Sequence, residues 1–464
     1  MLLVQRIRAA LRKELRPMLS VAVPVVIAEL GWMSMSVVDT IMVGRLSAEA
    51  IGAVSIGAVL FYTVGVFGAG MLLGLDTLAP QAYGAGDLED CNHSLIQAAY
   101  GSLVMGPLLM VPMFVLLPWL DRFGLDPEVA RLAKPYTEAL LWSAPPLLLY
   151  MAFRQYLQAI DRVKAVMFTL ISANLVNAFA NWLFIYGEWG MPAFGVAGAG
   201  WASCASRIYM CVALFVYMLY DARKRNTGLW EAKLGLDFPR LRQLAGLGFP
   251  AAMQRALEIG VFALATAMVG TLDAVSLAAH QIALQAASVS FMAPLGISSA
   301  AAVRVGQALG RRDPEGAHRA GWTALGLGAA FMLVAGLAFV LFDETILRIF
   351  TNEVHVIAIG STLLYIAAAF QLFDGFQVVA TGALRGAGDT RTPLVTNLVG
   401  HWFLGLPVGW WLCFRMGWGV AGVWVGLSLG LISVGAVLAY FWSTRLEKFR
   451  SHVSRLPQPA SPLA

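Results

Sequence analysis

The segment Gln81-Ala82-Tyr83-Gly84-Ala85-Gly86-Asp87 returns 226 residues later as Gln307-Ala308-Leu309-Gly310-Arg311-Arg312-Asp313, with Gln, Ala, Gly and Asp in the same places. Pro24 recurs as Pro250 and Met42-Val43-Gly44 as Met268-Val269-Gly270 at the same offset, and Gly195-Val196-Ala197-Gly198 returns as Gly419-Val420-Ala421-Gly422 after 224 residues. One such match is chance. Four in the same order at a nearly fixed offset mean that the second half of the chain duplicates the first.

Composition says what each half is. The 464 residues are 59% hydrophobic and 13% charged, with a mean hydropathy of +0.72, whereas soluble domains are roughly 45–50% apolar and about 25% charged. The 46 glycines suit helices that approach closely in a membrane. A bilayer-crossing helix needs about 20 mostly apolar residues. That template places twelve spans at 19–43, 53–79, 93–120, 136–158, 166–187, 197–220, 244–268, 276–303, 319–342, 356–382, 393–413 and 419–442. Turn chemistry separates them, as in Gly84-Ala85-Gly86-Asp87, Asp313-Pro314 and Gly386-Ala387-Gly388-Asp389.

The expected fold is an all-α integral membrane protein of twelve transmembrane helices in two six-helix lobes. Six is even, so both halves enter the membrane in the same sense, and the repeat is parallel, about a pseudo-two-fold axis along the membrane normal. The expected divisions are a cytoplasmic amphipathic N-terminus (1–18), a first lobe (19–220), a cytoplasmic linker (221–243), a second lobe (244–442) and a cytoplasmic tail (443–464). With the N-terminus inside, cytoplasmic segments, with Arg319 at the inner edge of its span, carry 23 of the 32 Lys and Arg and outer loops 6, leaving Arg154, Arg207 and Arg255 within spans. The positive-inside rule then puts both termini in the cytoplasm. The loop after span two is the exception, for Asp87, Glu89 and Asp90 have no basic partner there.

The net charge of +5 reflects this topology and gives no case for nucleic acid. Arg6, Arg8, Arg12, Lys13 and Arg16 precede an apolar stretch too long for a signal peptide, read as an uncleaved first span. Cys91, Cys204, Cys211 and Cys413 lack disulfide or metal spacing, and His280, His355 and His401 stand alone. There is no phosphate-cradling G-x-x-x-x-G-K-[ST] segment, no H-E-x-x-H and no G-x-S-x-G. The reading is therefore of a non-enzyme without a cofactor, driven by an ion gradient.

Ionisable groups in spans are costly, roughly 2.5–3.5 kcal/mol each on insertion scales, and are functional candidates for that reason. Span one holds Glu29 and Asp39, span seven Gln254, Arg255 and Glu258, and span ten Gln371, Asp374 and Gln377. Glu258 and Asp374 fall near mid-bilayer, where two carboxyls could share a proton or hold a small cation such as Na+; the bland alternative is that Arg255 neutralises Glu258 one turn away. Gln371, Asp374 and Gln377 form a polar stripe. Asn174, Asn177 and Asn181 share one face of span five, which should look into the bundle towards a charge such as Asp39, as a cation or hydrogen-bonding site or as interhelical glue. Glu29 either lines the pore or pairs with Arg207.

Val37-Val38-Asp39-Thr40-Ile41-Met42-Val43-Gly44, Leu75-Asp76-Thr77-Leu78 with Gln81-Ala82-Tyr83-Gly84, and Leu384-Arg385-Gly386-x-Gly388-Asp389 resemble signatures of the multidrug and toxic compound extrusion (MATE) family. The resemblance extends over essentially the whole chain. It implies a cation-coupled exporter, in which protons or sodium run inwards while small organic, often cationic, drugs or metabolites leave through a V-shaped cleft between the lobes. Glu258 and Asp374 match the glutamate of span seven and aspartate of span ten in the NorM-like branch, and Asp39, Asn177 and Asn181 match the family's first-lobe site. Asparagine in span five removes a charge that other members carry. The resemblance also implies a bacterial inner-membrane location, with lipid and small organic cations as partners and a monomer as the working unit. A flippase for lipid-linked saccharides is the alternative, but it would need a basic cleft for pyrophosphate.

Overall fold

The computed structural model describes residues 2–124 and 126–455, leaving the side chains of 2–13, 123 and 452–455 aside. Among these residues the chain is helical throughout, without a strand, and it crosses back and forth twelve times. Ten of the crossings are long apolar helices. The other two are assembled from shorter pieces. Span four is Pro127–Leu141 followed by Ala144–Ala159, broken at Trp142 and Ser143. Span eleven runs from Arg391 through two π-helical stretches, Leu398–Gly405 and Trp411–Arg415. Its Gly405 and Gly409 lie against Gly426, Gly430 and Val423 of span twelve, so closely that a Cβ on Gly426 would stand 2.3 Å from the Gly409 backbone.

The remaining spans are Leu2–Val43, Ala48–Leu72 continued by Leu75–Gly84, Leu88–Leu116, Val163–Tyr186, Val196–Arg225, Phe238–Gly270, Ala274–Gly310, Pro314–Leu341, Val354–Gly386 and Gly419–Ser443. Aspartates start several of them. Asp87, Asp237, Asp273 and Asp313 each accept a backbone N–H of the first turn, satisfying a donor that the helix itself cannot. The surface around the spans is rich in exposed Val, Leu and Phe, such as Val104, Phe168, Leu175 and Val334, which water would penalise and lipid accepts.

Most of the first half packs around its own buried cluster, but span one is shared. Its later part, Ala28 to Val43, belongs to the first-half core. Its earlier part, Met18, Val21, Ala22 and Val25, packs with Ile297, Ala301, Val379 and Leu438 of the second half. Span seven mirrors this, since Leu244 joins the first-half core while Val261 and Ala265 join the second. Pro24 and Pro250 lie where each helix changes lobes, and proline frees a backbone carbonyl at that point.

The repeated motif explains itself in the packing. A Cβ on Gly84 would stand 2.1 Å from the Gln307 carbonyl oxygen, and one on Gly310 would stand 2.1 Å from that of Gln81. The two copies thus pack on each other reciprocally, as two-fold symmetry requires. Gln81 Nε2 donates to the Gly386 carbonyl at 2.9 Å, and Gln307 Nε2 donates to the Ala159 carbonyl at 3.0 Å. The lobes are therefore closed against one another at the end that carries the linker.

The linker is held down. Asn92, Gln97 and Tyr100 of span three donate to the Thr227, Gly235 and Leu234 carbonyls. His93 pairs with Asp237 at 2.9 Å, and Arg240 with Asp90. The acidic loop after span two does have a basic partner: Arg240 arrives from the linker, far away in sequence, which is why the loop's own residues do not reveal it. Beyond Ser443 the chain forms another helix, Arg445–Arg455, joined to span nine by Arg450 and Glu315.

Candidate functional site

Span one delivers Asp39 into a buried pocket of the first lobe. Asn181 Nδ2 donates to Asp39 Oδ1 at 2.6 Å, Ser203 Oγ donates to Oδ2 at 2.9 Å, and Asn181 Nδ2 also reaches Asn177 Oδ1 at 3.2 Å. All four residues are buried. Among the described residues Asn177 Nδ2 and Asn181 Oδ1 lack a hydrogen-bond partner within normal distance, so the cluster retains hydrogen-bonding capacity in a place where unsatisfied groups are costly. Asn174 is not part of it; its Nδ2 bonds the Gly31 and Leu170 carbonyls, tying span five to span one. Ser203 of span six escaped the sequence reading, because a lone serine carries no spacing signal.

Glu258 and Asp374 line one cavity of about 460 Å³ in the second lobe. Gln377 Nε2 donates to Glu258 Oε1 at 3.0 Å and approaches Asn397 Oδ1 at 3.4 Å, and Gln377 Oε1 has no hydrogen-bond partner among the described residues. Two carboxyls and an amide oxygen are hard-donor chemistry, able to take a proton or a small cation such as Na+. Among the described residues no ion pair joins Arg255 to Glu258. Arg255 stays near enough to act on Glu258 through its charge, while the direct hydrogen bond to that carboxyl comes from Gln377. Gln371 donates to Ser290 Oγ at 2.9 Å and braces span ten on span eight. Gln254 is buried, but it lines neither this cavity nor the central one. His280 receives the Trp424 indole N–H at 2.9 Å, a packing role.

A second cavity, about 220 Å³, lies between the lobes and touches the first at Arg255 and Ile259. Trp32, Phe61 and Tyr62 give it an aromatic wall. Two ion pairs edge it. Glu29 pairs with Arg154 rather than Arg207, while also facing the cavity. Arg207 instead donates to Ser143 Oγ at 2.6 Å and lies over the Phe61 ring. Asp76 pairs with Arg385 at 3.1 Å, joining the two lobes, and Thr77 Oγ1 donates to the Arg385 carbonyl at 2.5 Å. Asp76 and Arg385 stood in the sequence only as motif residues, because nothing in the chain order shows that they meet.

Two helical lobes related by duplication, with polar pockets inside each and a cavity between them, define a membrane transporter. The chain belongs to the MatE family, whose model matches it twice, over residues 24–183 and 250–411. The two matches begin at Pro24 and Pro250, the same offset as the repeated motifs. Among similar proteins, a probable multidrug resistance protein NorM of Mesorhizobium japonicum is 35% identical over 446 residues, covering 94% of each chain. The multidrug resistance protein NorM of Burkholderia vietnamiensis is also 35% identical, over 90% of this chain and 91% of that one. The crystal structure of the eukaryotic MATE transporter AtDTX14 superposes with a TM-score of 0.86 at 20% identity, covering 96% of this chain and all of that one. An outward-facing MATE family transporter gives 0.85 at 18% identity, over 94% and 96%. The duplicated twelve-helix architecture expected from the sequence is the fold of this family.

Proposed function

We propose that the protein is a cation-coupled antiporter that exports small organic compounds, drugs or metabolites, many of them cationic, from a bacterial cytoplasm by alternating access. The observation that carries this reading is the pair Glu258 and Asp374, two carboxyls of different helices lining one cavity that adjoins the central one at Arg255. Carboxyls facing each other in low dielectric resist ionising together, so a proton or a sodium ion resolves the repulsion. Its arrival or departure changes the charge beside the substrate cavity, which is the coupling an exchanger needs. Asp39, held by Asn181 and Ser203 and neighboured by Asn177, acts separately in the first lobe.

With the linker on the cytoplasmic side, as the distribution of Lys and Arg supports, closure at the linker end corresponds to a state that faces outwards. The protein then works as a monomer with both termini in the cytoplasm. The flippase reading loses ground, because Arg154 and Arg385 are already ion-paired and do not form a pyrophosphate cluster.

Efflux from proteoliposomes under separately imposed proton and sodium gradients tests the reading. Transport driven by one gradient and abolished by its collapse is the expected outcome. Uptake or release indifferent to both gradients would discard it.

A further inference from the structure

The linker between spans six and seven stays against the helices it joins. Residues 226–237 hold one short helical turn, Leu229–Glu231, and the rest runs along span three. Arg240 meets Asp90, whereas the Leu234 carbonyl accepts the Tyr100 hydroxyl at 2.6 Å, and Asp90 and Tyr100 are about 15 Å apart along that helix. The tip of the linker therefore reaches the level at which span three presents the exposed Leu103 and Val104 to lipid. Irregular backbone is tolerated at such a depth only where its polar groups find partners. Span three supplies them: besides Tyr100, Asn92 donates to the Thr227 carbonyl, and Gln97 bonds both the Gly235 carbonyl and the Asp237 N–H. The side chains of the linker suit lipid as well, for Trp230, Leu234, Leu236 and Phe238 are 53–71% exposed.

Leu236 of the tip closes one side of a cavity of about 360 Å³, whose other walls are span two at Met71, span three at Gly101 and Val104, and the start of span seven at Phe238 and Leu241. That is the size of a ligand pocket, roughly 300–1,000 Å³, and its lining is almost wholly apolar. Gly101 keeps it open, since a Cβ there would meet only Leu241 Cδ2, at 3.9 Å. Two cations flank the segments that form it. Lys233 precedes Leu234 and Arg242 follows Leu241, both exposed and, among the described residues, without a hydrogen bond or ion pair. Residues 221–243 carry six Lys and Arg against three Asp and Glu, of which Asp221 and Asp237 are paired with Arg225 and His93, leaving Glu231. We propose that this cavity binds an anionic phospholipid, with one acyl chain lying between spans two, three and seven under the linker and the phosphate meeting Lys233 and Arg242. Basic side chains beside an apolar slot complement the two ends of such a lipid. The chain takes the place of protein side chains that Gly101 does not provide, and the lipid fastens the linker to span three and to the start of span seven.

Photo-labelling of the full chain makes the test. The protein is reconstituted in dioleoylphosphatidylcholine vesicles that contain a trace of phosphatidylglycerol or of phosphatidylcholine, each with the same diazirine in its acyl chain, and the labelled peptides are mapped by mass spectrometry. The phosphatidylglycerol probe should mark residues 97–105 and 236–245, which line the cavity, about tenfold or more strongly than the phosphatidylcholine probe, the preference that two basic contacts give. Lys233→Gln combined with Arg242→Gln, both at exposed positions, should bring the two probes level. Gly101→Leu, which fills the cavity, should remove the label from these segments while leaving the rest of the chain marked as before. Equal labelling by the two probes in the unaltered protein would overturn the proposal, for that is how ordinary surrounding lipid behaves, and the comparison needs no variant to fold. So would a Gly101→Leu protein labelled as strongly as the unaltered one. Displacement of the label by ethidium would make the cavity a site for a solute and would overturn it as well.

Discussion

Among the described residues Asp374 makes no side-chain hydrogen bond or ion pair, and it faces a cavity that also holds Glu258. Replacing it with asparagine keeps the shape and removes the titratable site. Asp374→Asn should therefore insert and fold normally, as judged by monodisperse elution and unchanged melting, while gradient-driven efflux falls to the level of empty vesicles. Asp39 is different in kind, for its oxygens are already bonded to Asn181 and Ser203. Asp39→Asn removes the charge and one acceptor oxygen, leaving an amide that can keep the Asn181 donor on its oxygen only by turning its N–H groups to the Ser203 hydroxyl, and a buried group left unsatisfied there costs roughly 1–3 kcal/mol. Efflux should fall, while proton or sodium binding at Glu258 and Asp374, followed by titration calorimetry, should persist. Normal export of every cationic substrate would reduce Asp39 to packing, and lost binding in the second lobe would merge two sites that the structure keeps in separate lobes.

At the scale of elements, close backbone approach and the docking of the linker set the behaviour. Gly84 and Gly310 each leave no room for a Cβ against the opposite backbone carbonyl. Alanine at either position must push the helices apart, at a cost of about 1–3 kcal/mol by analogy with overpacked cores. Gly310→Ala should lower the melting temperature of the closed form and raise the reactivity of a cysteine introduced at Gln81. A control alanine at Gly326, where space is open, should do neither. The linker is held partly by Asp237, whose carboxyl is kept below its ordinary range by the His93 bond and then by the Arg240 backbone N–H. A carboxyl lowered in the folded protein contributes above its unfolded value, about 3.9, and loses that contribution as pH falls through the folded value. Protection of the amides across residues 227–236, taken relative to their intrinsic exchange rates, should therefore fall as the pH is taken below about 4, and Asp237→Asn should abolish that acid dependence of protection.

For the whole molecule, the ion pair of Asp76 with Arg385 spans the two lobes at their closed end, together with Thr77 and Gln81 bonding the Arg385 and Gly386 carbonyls. A transporter that alternates must release these contacts in each cycle. Removing one partner of a buried pair leaves an uncompensated charge, at a cost of about 3–5 kcal/mol to the state that holds the pair. Arg385→Gln should accordingly shift the population towards a state open at the linker end, read as longer distances between spin labels placed on spans two and eight. The double variant Asp76→Asn with Arg385→Gln should lie closer to the unaltered protein. An unchanged distance distribution in Arg385→Gln would mean that backbone contacts alone hold the closure.

Hydropathy and repetition determine the architecture, because lipid demands internally bonded helices of fixed length and leaves few alternatives. The span placed on Ser20 to Val43 and most of its successors lie within helices of the structure to within a few residues at their ends, though the spans at 53–79 and 136–158 are each interrupted, after Leu72 and after Leu141, and the duplicated Gln, Gly and Asp positions turn out to be a brace, a close approach and a helix cap. Individual residue choices were also legible where polarity is costly: Asp39 with Asn177 and Asn181, and Glu258 with Asp374, stand out against an apolar background. Partnership was legible where Asn181 meets Asp39, but not elsewhere. That Glu29 takes Arg154 instead of Arg207, that Glu258 takes Gln377 instead of Arg255, and that Arg240 crosses to Asp90 depend on helix rotation and lobe contact, which are set by packing between segments distant in sequence. The crossing of spans one and seven between the lobes and the π-helical turns of span eleven belong to the same class. A hydropathy pattern records how much of a helix must leave water, while only the tertiary structure decides which neighbour it meets.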